Sequence, residues 1–563
     1  NGDNGHIWED AVVSDSLKLN NDNSVRFFNI RSKLTQANFS ASYSRQFGDH
    51  SVSGYFGIER SESSSTQEDV SKEDPTSFTN GQFNTAFGPI DGRTFAYESG
   101  NLGYIGRINY NYAGKYLGEF LFRSDASTKF APVNYWGRFY SLSAGWVISE
   151  EKFFNVSSIN FLKVRYSFGL LGKDDTRAWQ WRQRYTPQNG QGGAFGLDNT
   201  PANVGLRMEV SPNPDVTWSD DLKQNFGIDA RFLDNRLSAT VELFYSKGTN
   251  LLIERTGIVP VTVGGSLAAQ NYGEIDAFGY ELAVGWRGTV GRDFTYGVDA
   301  RFSWSDNKVK KGDFNEIDIQ RPWNKQPGQS DDNGQWGYDV LGMFRTQGDI
   351  DAYIAKHGIT SMFDVDAVDF KPGMLYYRDV RGHLQADGTF APPDGIIDEF
   401  DQIRLSKKRS NHYGLGVTLR AGYKGFAFDC VIGGSYGGWA EIDSRNSLES
   451  KIADLFQNNP QYWADIYDPE LNPNGSLPNP AHEDVSLTPV SNFWKVSSLR
   501  LRVINANLNY TLPKKITDFL KITNARVVVS ALNPLNLYNP YDYKDPDGSW
   551  DVYPALRTIS FGL

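Results

Sequence analysis

From residue 36 onward the chain alternates apolar and polar side chains at period two, and this alternation narrows its fold more than any other feature. In residues 36–47, Ala37, Phe39, Ala41, Tyr43 and Phe47 fall on one face, and Asn38, Ser40, Ser42, Ser44 and Gln46 on the other. A period of two marks a strand held between two unlike surroundings. Fifteen segments read this way: 36–47, 50–60, 101–112, 116–125, 138–148, 161–172, 223–233, 236–247, 272–287, 294–305, 411–423, 426–436, 497–510, 522–532 and 557–563. Between 497 and 510 the phase slips, from Leu499, Leu501 and Val503 to Ile504, Ala506, Leu508 and Tyr510, which predicts a β-bulge near Val503. Helical periodicity is scarce, and residues 448–458 are the best short candidate.

The connectors then select among all-β architectures. Taken in order they read as alternately short and long. The short ones are 48–49, 113–115, 149–160, 234–235, 288–293, 424–425 and 511–521. The long ones are 61–100, 126–137, 173–222, 248–271, 306–410, 437–496 and 533–556. Tight turns at one rim and long loops at the other are the signature of a transmembrane antiparallel β-barrel, with periplasmic turns and extracellular loops. A soluble sandwich or propeller has no reason to sort its loops in this way.

The chemistry of the two faces agrees with a barrel in the outer membrane of a Gram-negative bacterium. One face is Phe, Tyr, Trp, Leu and Val, with aromatics near strand ends, as in interfacial girdles. The other carries Ser, Asn, Thr and Gly with charges such as Arg107, Glu119, Arg165, Asp229, Glu242, Arg301 and Arg420, which suit a wet or plugged lumen and not lipid. Aromatics make up 14% of the chain, yet mean hydropathy is −0.49 because polar lumen positions and wet loops dilute the lipid-facing strip. A net charge of −11 argues against a nucleic-acid partner, since duplex binding rests on cationic neutralisation of phosphates. A single cysteine excludes a disulfide-stapled scaffold.

Parity adds an expectation about the ends. The first connector is a short turn, so the first of the fifteen strands runs inward. Bacterial barrels generally have even strand numbers. At least one further strand is therefore expected N-terminal to it, with residues 23–31 as its place. The whole chain, 1–563, reads as the C-terminal part of a larger barrel.

No catalytic constellation is present, so no enzymatic role is expected. The six histidines (His6, His50, His357, His383, His412 and His482) show no metalloprotease spacing. Cys430 is in phase with Phe426, Phe428 and Ile432, as an apolar-face residue. One segment fits part of a calcium loop: Asp394, Gly395, Asp398 and Asp401 match positions 5, 6, 9 and 12 of the template, with apolar Ile397 at position 8. Positions 1 and 3 would be Phe390 and Pro392, which offer no side-chain ligand. A Ca²⁺ site and a solvated acidic loop both remain open readings. In the long loops Trp179, Trp181, Trp323, Trp336, Tyr338, Trp439 and Trp463 are candidates for stacking on a substrate or contacting a lid protein. The alternative is that they pack the loops against one another.

Specific segments resemble the SusC/RagA group of TonB-dependent outer-membrane transporters of Bacteroidota. They include GYIGRINYNY at 103–112, FRSDAS at 122–127, SAGWVISEEKF at 143–153, NYGEI at 271–275 and GYEL at 279–282. They continue with YKGF at 423–426, FWKVSSLRL at 493–501, YTLP at 510–513 and RTISFGL at 557–563. The resemblance implies a barrel of about 22 strands, a size that is plugged. It also implies drive by TonB, a SusD-like surface lipoprotein as lid, and oligosaccharide or peptide substrates. The plug, the TonB-contacting segment and the early strands are expected outside this sequence. In the acidic loop it implies Asp379 as first ligand, with residues 383–393 inserted. A scaffold barrel in an envelope complex and a passive porin are the competing readings.

Overall fold

The computed structural model describes residues 2–8, 13–14, 17–18, 24–74, 82–188, 205–208, 210–254, 266–442, 464–541, 544–548 and 555–563. Sixteen strands join in one sheet, each hydrogen-bonded to the next along the chain. They are β1 (Gly2–Trp8), β2 (Ser24–Phe47), β3 (His50–Glu73), β4 (Ile90–Tyr112), β5 (Tyr116–Ser127), β6 (Trp136–Val147), β7 (Ile159–Lys173) and β8 (Ser219–Phe232), followed by β9 (Leu237–Ile253), β10 (Gln270–Val290), β11 (Phe294–Lys311), β12 (Tyr413–Tyr423), β13 (Phe426–Tyr436), β14 (Arg500–Thr511), β15 (Arg526–Tyr538) and β16 (Thr558–Gly562). All fifteen expected strands are present. The described helices are too short to cross a membrane, which says nothing of a wall built from strands.

The additional strand sits elsewhere than expected. Residues 24–31 belong to β2 itself, and β1 is the extra strand, pairing antiparallel with it from Gly2↔Arg31 to Trp8↔Val25. The expected bulge is present. Val503 and Asn505 face Ile432 and Val431, which leaves Ile504 as the extra residue. Cys430 is a buried free thiol, in register with Leu419 and Ala506. The expected helix at 448–458 lies outside the described residues.

The chain divides into two compact units. In the first (1–146, 166–224 and 246–274), β2, β3 and β4 are 24, 24 and 23 residues long, about twice the 12 of β5 and β6. They form a tall ribbon, so the expected long loop 61–100 is mostly strand. Its upper half was illegible as strand because both faces meet water, and alternation arises only where one face does not.

In the second unit (147–165, 225–245 and 275–563) the best-buried side chains lie in the connectors, not in the sixteen strands of the large sheet. The connector 312–412 supplies Phe344, Ile350, Tyr353, Met362, Leu375, Tyr377 and Ile397 to one core. The connector 437–499 adds Val485 to that core and forms an adjoining one with Leu487 and Trp494. A fully buried side chain of this size contributes roughly 1.5–3 kcal/mol, so these loops hold themselves in shape. Helix α1 (Gln347–His357) starts on a reciprocal cap between Thr346 and Asp349, ends on Gly358 at φ 68°, and turns Ile350 and Tyr353 into the core.

Candidate functional site

On the ribbon, unbroken register puts side chains in rows. Below residue 36 of β2 the outer rows read Phe39–Ile58–Tyr104, Ala41–Phe56–Gly106 and Tyr43–Gly54–Ile108. Phe39 is 62% exposed, as a lipid-facing side chain must be. The eleven residues from Ala37 to Phe47 match the about 9–11 that a tilted strand needs to span the bilayer.

Above Ala37 the polarity inverts. The outer rows become Thr35–Glu62–Gly100 and Lys33–Ser64–Glu98. Apolar groups now appear on the inner face, in the rows Ile30–Gln67–Phe95, Ser32–Ser65–Tyr97 and Leu34–Ser63–Ser99. Continuing downward, the inner face passes Gln36–Ser61–Asn101 and reaches Asn38–Glu59–Gly103. There it opens into a cavity of about 480 Å³.

That cavity is built by glycines. Phe139 and Trp218 meet edge-on at 5.3 Å, and Trp218 Nε1 donates to the Tyr135 carbonyl at 3.1 Å. A Cβ at Gly172 or Gly137 would overlap the Phe139 ring. Arg123 donates to both oxygens of Asp125 at 3.0 and 2.8 Å and more weakly to Glu59 at 3.3 Å. Gly172→Ala is therefore expected to destabilise the wall by about 1–3 kcal/mol through overpacking, whereas Gly106→Ala, with nothing near its Cβ, changes little. Thermal unfolding of the two variants checks this.

In the second unit the expected lumen charges pair across strands. Arg165 bonds Glu242 at 2.8 Å and Asp229 at 3.2 Å, and Asp299 pairs with Arg420. In the first unit Arg107 lies over its register partner Tyr55, 5.6 Å from the ring centre. Arg301 lines a second cavity, of about 450 Å³, with Glu242 and Glu281.

The singled-out loop aromatics are dispersed. Trp179 and Trp181 share the Arg182 guanidinium, at 4.9 and 4.6 Å, and Trp179 also lines a cavity of about 440 Å³ with Lys33, Thr35 and Glu98. Trp323 packs on Phe390 and Phe400. Trp336 Nε1 donates to Asn333 at 2.6 Å, and Tyr338 meets Phe363 and Tyr377 edge-on. Trp439 donates to Glu441 and lies under Lys495. Trp463 lies outside the described residues. The described six are half-buried and engaged with their own loops.

The acidic loop uses its carboxylates as caps and turn acceptors. Asp401, fully buried, accepts from the N–H groups of Val380 (2.7 Å), Arg381 (3.2 Å) and Asp398 (2.9 Å). Asp398 accepts from Phe400, Asp394 from Ile396, and Asp379 Oδ2 from Gly395. Asp379 Oδ1 is buried with no hydrogen-bond partner. Among the described residues no three acidic, histidine or cysteine side chains are grouped so as to hold a metal ion. Burial pushes the Asp401 carboxyl up to about 6, against the pull of the three amides. Burial acts on Asp332 too, but the amides of Arg409 and Ser410 and the His412 ring outweigh it and bring that carboxyl down to about 2.

The signs of these two shifts are opposite. The folded loop binds the Asp401 proton more tightly than the unfolded chain, so its contribution to stability is lost as pH rises from about 4 to about 6. Asp332 contributes stability above about 4 that is lost as pH falls toward about 2. Loop proteolysis followed against pH should accelerate between about 4 and 6, and Asp401→Asn should flatten that rise.

Sequence reasoning missed α1 and the Phe139–Trp218 wedge. Thr346 with Asp349, closed by Gly358, signalled the helix. Phe139, a lone aromatic on the polar register of β6 between Gly137 and Gly172, signalled the wedge.

No family model matches the chain. It is 24% identical to the TonB-dependent receptor P3 of Formosa agariphila over 485 residues, covering 82% of this chain and 45% of that protein. It is likewise 24% identical to the TonB-dependent receptor SusC of Bacteroides thetaiotaomicron over 493 residues, covering 83% and 44%. The chain thus spans less than half the length of these curated relatives. Its fold matches the RagAB peptide importer in a "closed-closed" state with a TM-score of 0.68 at 19% identity, over 92% of this chain and 53% of that one. The "open-open" state gives a TM-score of 0.65. These relatives are receptors and importers rather than enzymes. The sheet, its lipid-facing stripe and these likenesses agree: the chain is antiparallel β-barrel wall of the bacterial outer membrane, similar to TonB-dependent receptors of the SusC/RagA kind.

Proposed function

We propose that this chain forms wall and loops of an outer-membrane nutrient importer, energised by TonB and closed from outside by a SusD-like lipoprotein. Its cargo is an oligosaccharide or a peptide, and it has no catalytic role. The remaining length of such a receptor supplies the plug and the other wall strands. The observation that carries this reading is the likeness to TonB-dependent receptors along more than four-fifths of the chain. The long, self-packed loops around Trp494 and Phe344 support a docked lid, because a lid needs a shaped rim rather than a mobile fringe.

The test is uptake by cells carrying the full-length receptor, with and without TonB, together with purification of its complex. Uptake lost without TonB and a lipoprotein that co-purifies are expected. Uptake that persists without TonB, or salt conductance through the isolated barrel, would mean a passive pore. A receptor with no uptake phenotype that copurifies with assembly factors would mean a scaffold.

A further inference from the structure

We infer that the connector between β14 and β15 is a foot seated in the periplasmic leaflet, where it binds anionic glycerophospholipid. Such a foot serves the barrel wall whatever the barrel transports. Closing the sheet needs little chain, since residues 48–49 join β2 to β3 and residues 424–425 join β12 to β13. Between β14 and β15 the chain instead spends residues 512–525, including helix α2 (Lys514–Phe519). The foot lies on the short-turn rim, which faces the periplasm in an outer-membrane barrel.

The foot continues the lipid-facing band. On this stretch of wall the row Phe428–Leu508–Val529 is apolar, whereas the adjoining row Asp429–Asn507–Ser530 is polar and hydrogen-bonded across the strands. The last apolar row before the turn is Phe426–Tyr510–Val527. Phe426 stacks on Tyr510 there at 4.3 Å, as aromatics do where a bilayer meets water. Directly beyond, Leu512 N–H donates to the Ala525 carbonyl and Pro513 starts α2, whose buried residue is Thr517. Ile516, Phe519 and Leu520 recur at the i, i+3, i+4 spacing of one helix face. With Ile522 they are all exposed, Phe519 at 85%. Charge then selects the headgroup. Lys514, Lys515 and Lys521 are exposed beside this face against Asp518 alone, in a chain whose net charge is −11. An apolar stripe flanked by ammonium groups suits a helix lying at an anionic membrane surface. Its continuity with the band that acyl chains already cover favours lipid over a periplasmic protein.

The test uses the protein in lipid nanodiscs, with an NBD fluorophore on the single exposed substitution Thr523→Cys. Cys430 is buried and stays unlabelled. Nitroxide-bearing phosphatidylglycerol, nitroxide-bearing phosphatidylcholine and aqueous iodide are compared as quenchers. Strong quenching by lipid is expected, about threefold stronger from phosphatidylglycerol than from phosphatidylcholine, with little quenching by iodide. The triple variant Lys514→Gln/Lys515→Gln/Lys521→Gln should lose the preference between lipids and keep the quenching. The double variant Phe519→Ser/Leu520→Ser should lower lipid quenching about threefold and admit iodide. These side chains are exposed, and heat-modifiable mobility on a gel confirms that each barrel is folded. Iodide access without lipid quenching would place the foot in the periplasm and overturn the proposal. So would equal quenching by the two lipids, or a preference that survives the triple variant. A label shielded from iodide and lipid alike would mean that protein covers the foot, which also overturns it.

Discussion

Trp494→Ala is expected to destabilise the loop assembly by about 3–5 kcal/mol, as truncation of a buried aromatic does. Trp494 has no exposed surface, and with Leu487 it forms a core against which Ile442, Ile466, Leu477 and Phe493 pack. Its Nε1 donates to the buried Ser486 carbonyl at 3.1 Å, so truncation also leaves that acceptor unpaired. The same segment ties to the neighbouring core, because Ser486 Oγ accepts from Leu375 N–H and the Val485 carbonyl accepts from Tyr377. The damage should therefore spread through residues 338–401 while β12 to β14 keep their pairing. Protease nicking within 464–494 and loss of the low-temperature transition, with the barrel transition unmoved, are the readouts. A single unfolding transition shifted as a whole would show that loops and wall unfold together.

Ala41→Arg is expected to cost about 2–4 kcal/mol, the cost of a cation facing lipid near the bilayer centre. Ala41 lies on the outer row Ala41–Phe56–Gly106, close to the middle of the eleven-residue apolar span. Ser44→Arg, three residues on, should cost far less. Ser44 lies on the inner row Ser44–Ser53–Asn109, where a long cationic side chain reaches water. Urea titration of the barrel refolded in vesicles compares the two. Equal costs would contradict the assignment of faces.

The strands were legible wherever one of their faces meets lipid. Phe39, Tyr43, Ile58 and Tyr104 announce such a face, and so does the bulge at Ile504, because a slipped phase cannot be hidden there. Above Ala37 the same strands run on in serine-rich sequence with water on both sides, and the pattern fades although the hydrogen bonds persist. The loop cores were illegible for another reason. Phe344, Tyr377 and Ile397 meet Val485 from connectors separated by two strands, β12 and β13, and no local period records such contacts. The loop aromatics were visible as residues but not as partners. Trp323 and Tyr338, for example, are consumed by their own loops, whereas Leu34, ahead of the first expected strand, and Tyr97, in the expected connector 61–100, were overlooked.

Below Ala37 the ribbon is a membrane wall, and above it a surface bathed by solvent. Nitroxide labels placed singly at residues 28–47 of the protein in liposomes distinguish the two zones, through their collision rates with oxygen and with a water-soluble nickel chelate. High oxygen access is expected at 39, 41 and 43, high nickel access at 38, 40, 42 and 44, and loss of the oxygen-rich positions above 37. Uniform access at both parities between 37 and 47, or an oxygen-rich stripe that continues through 31, 33 and 35, would contradict it.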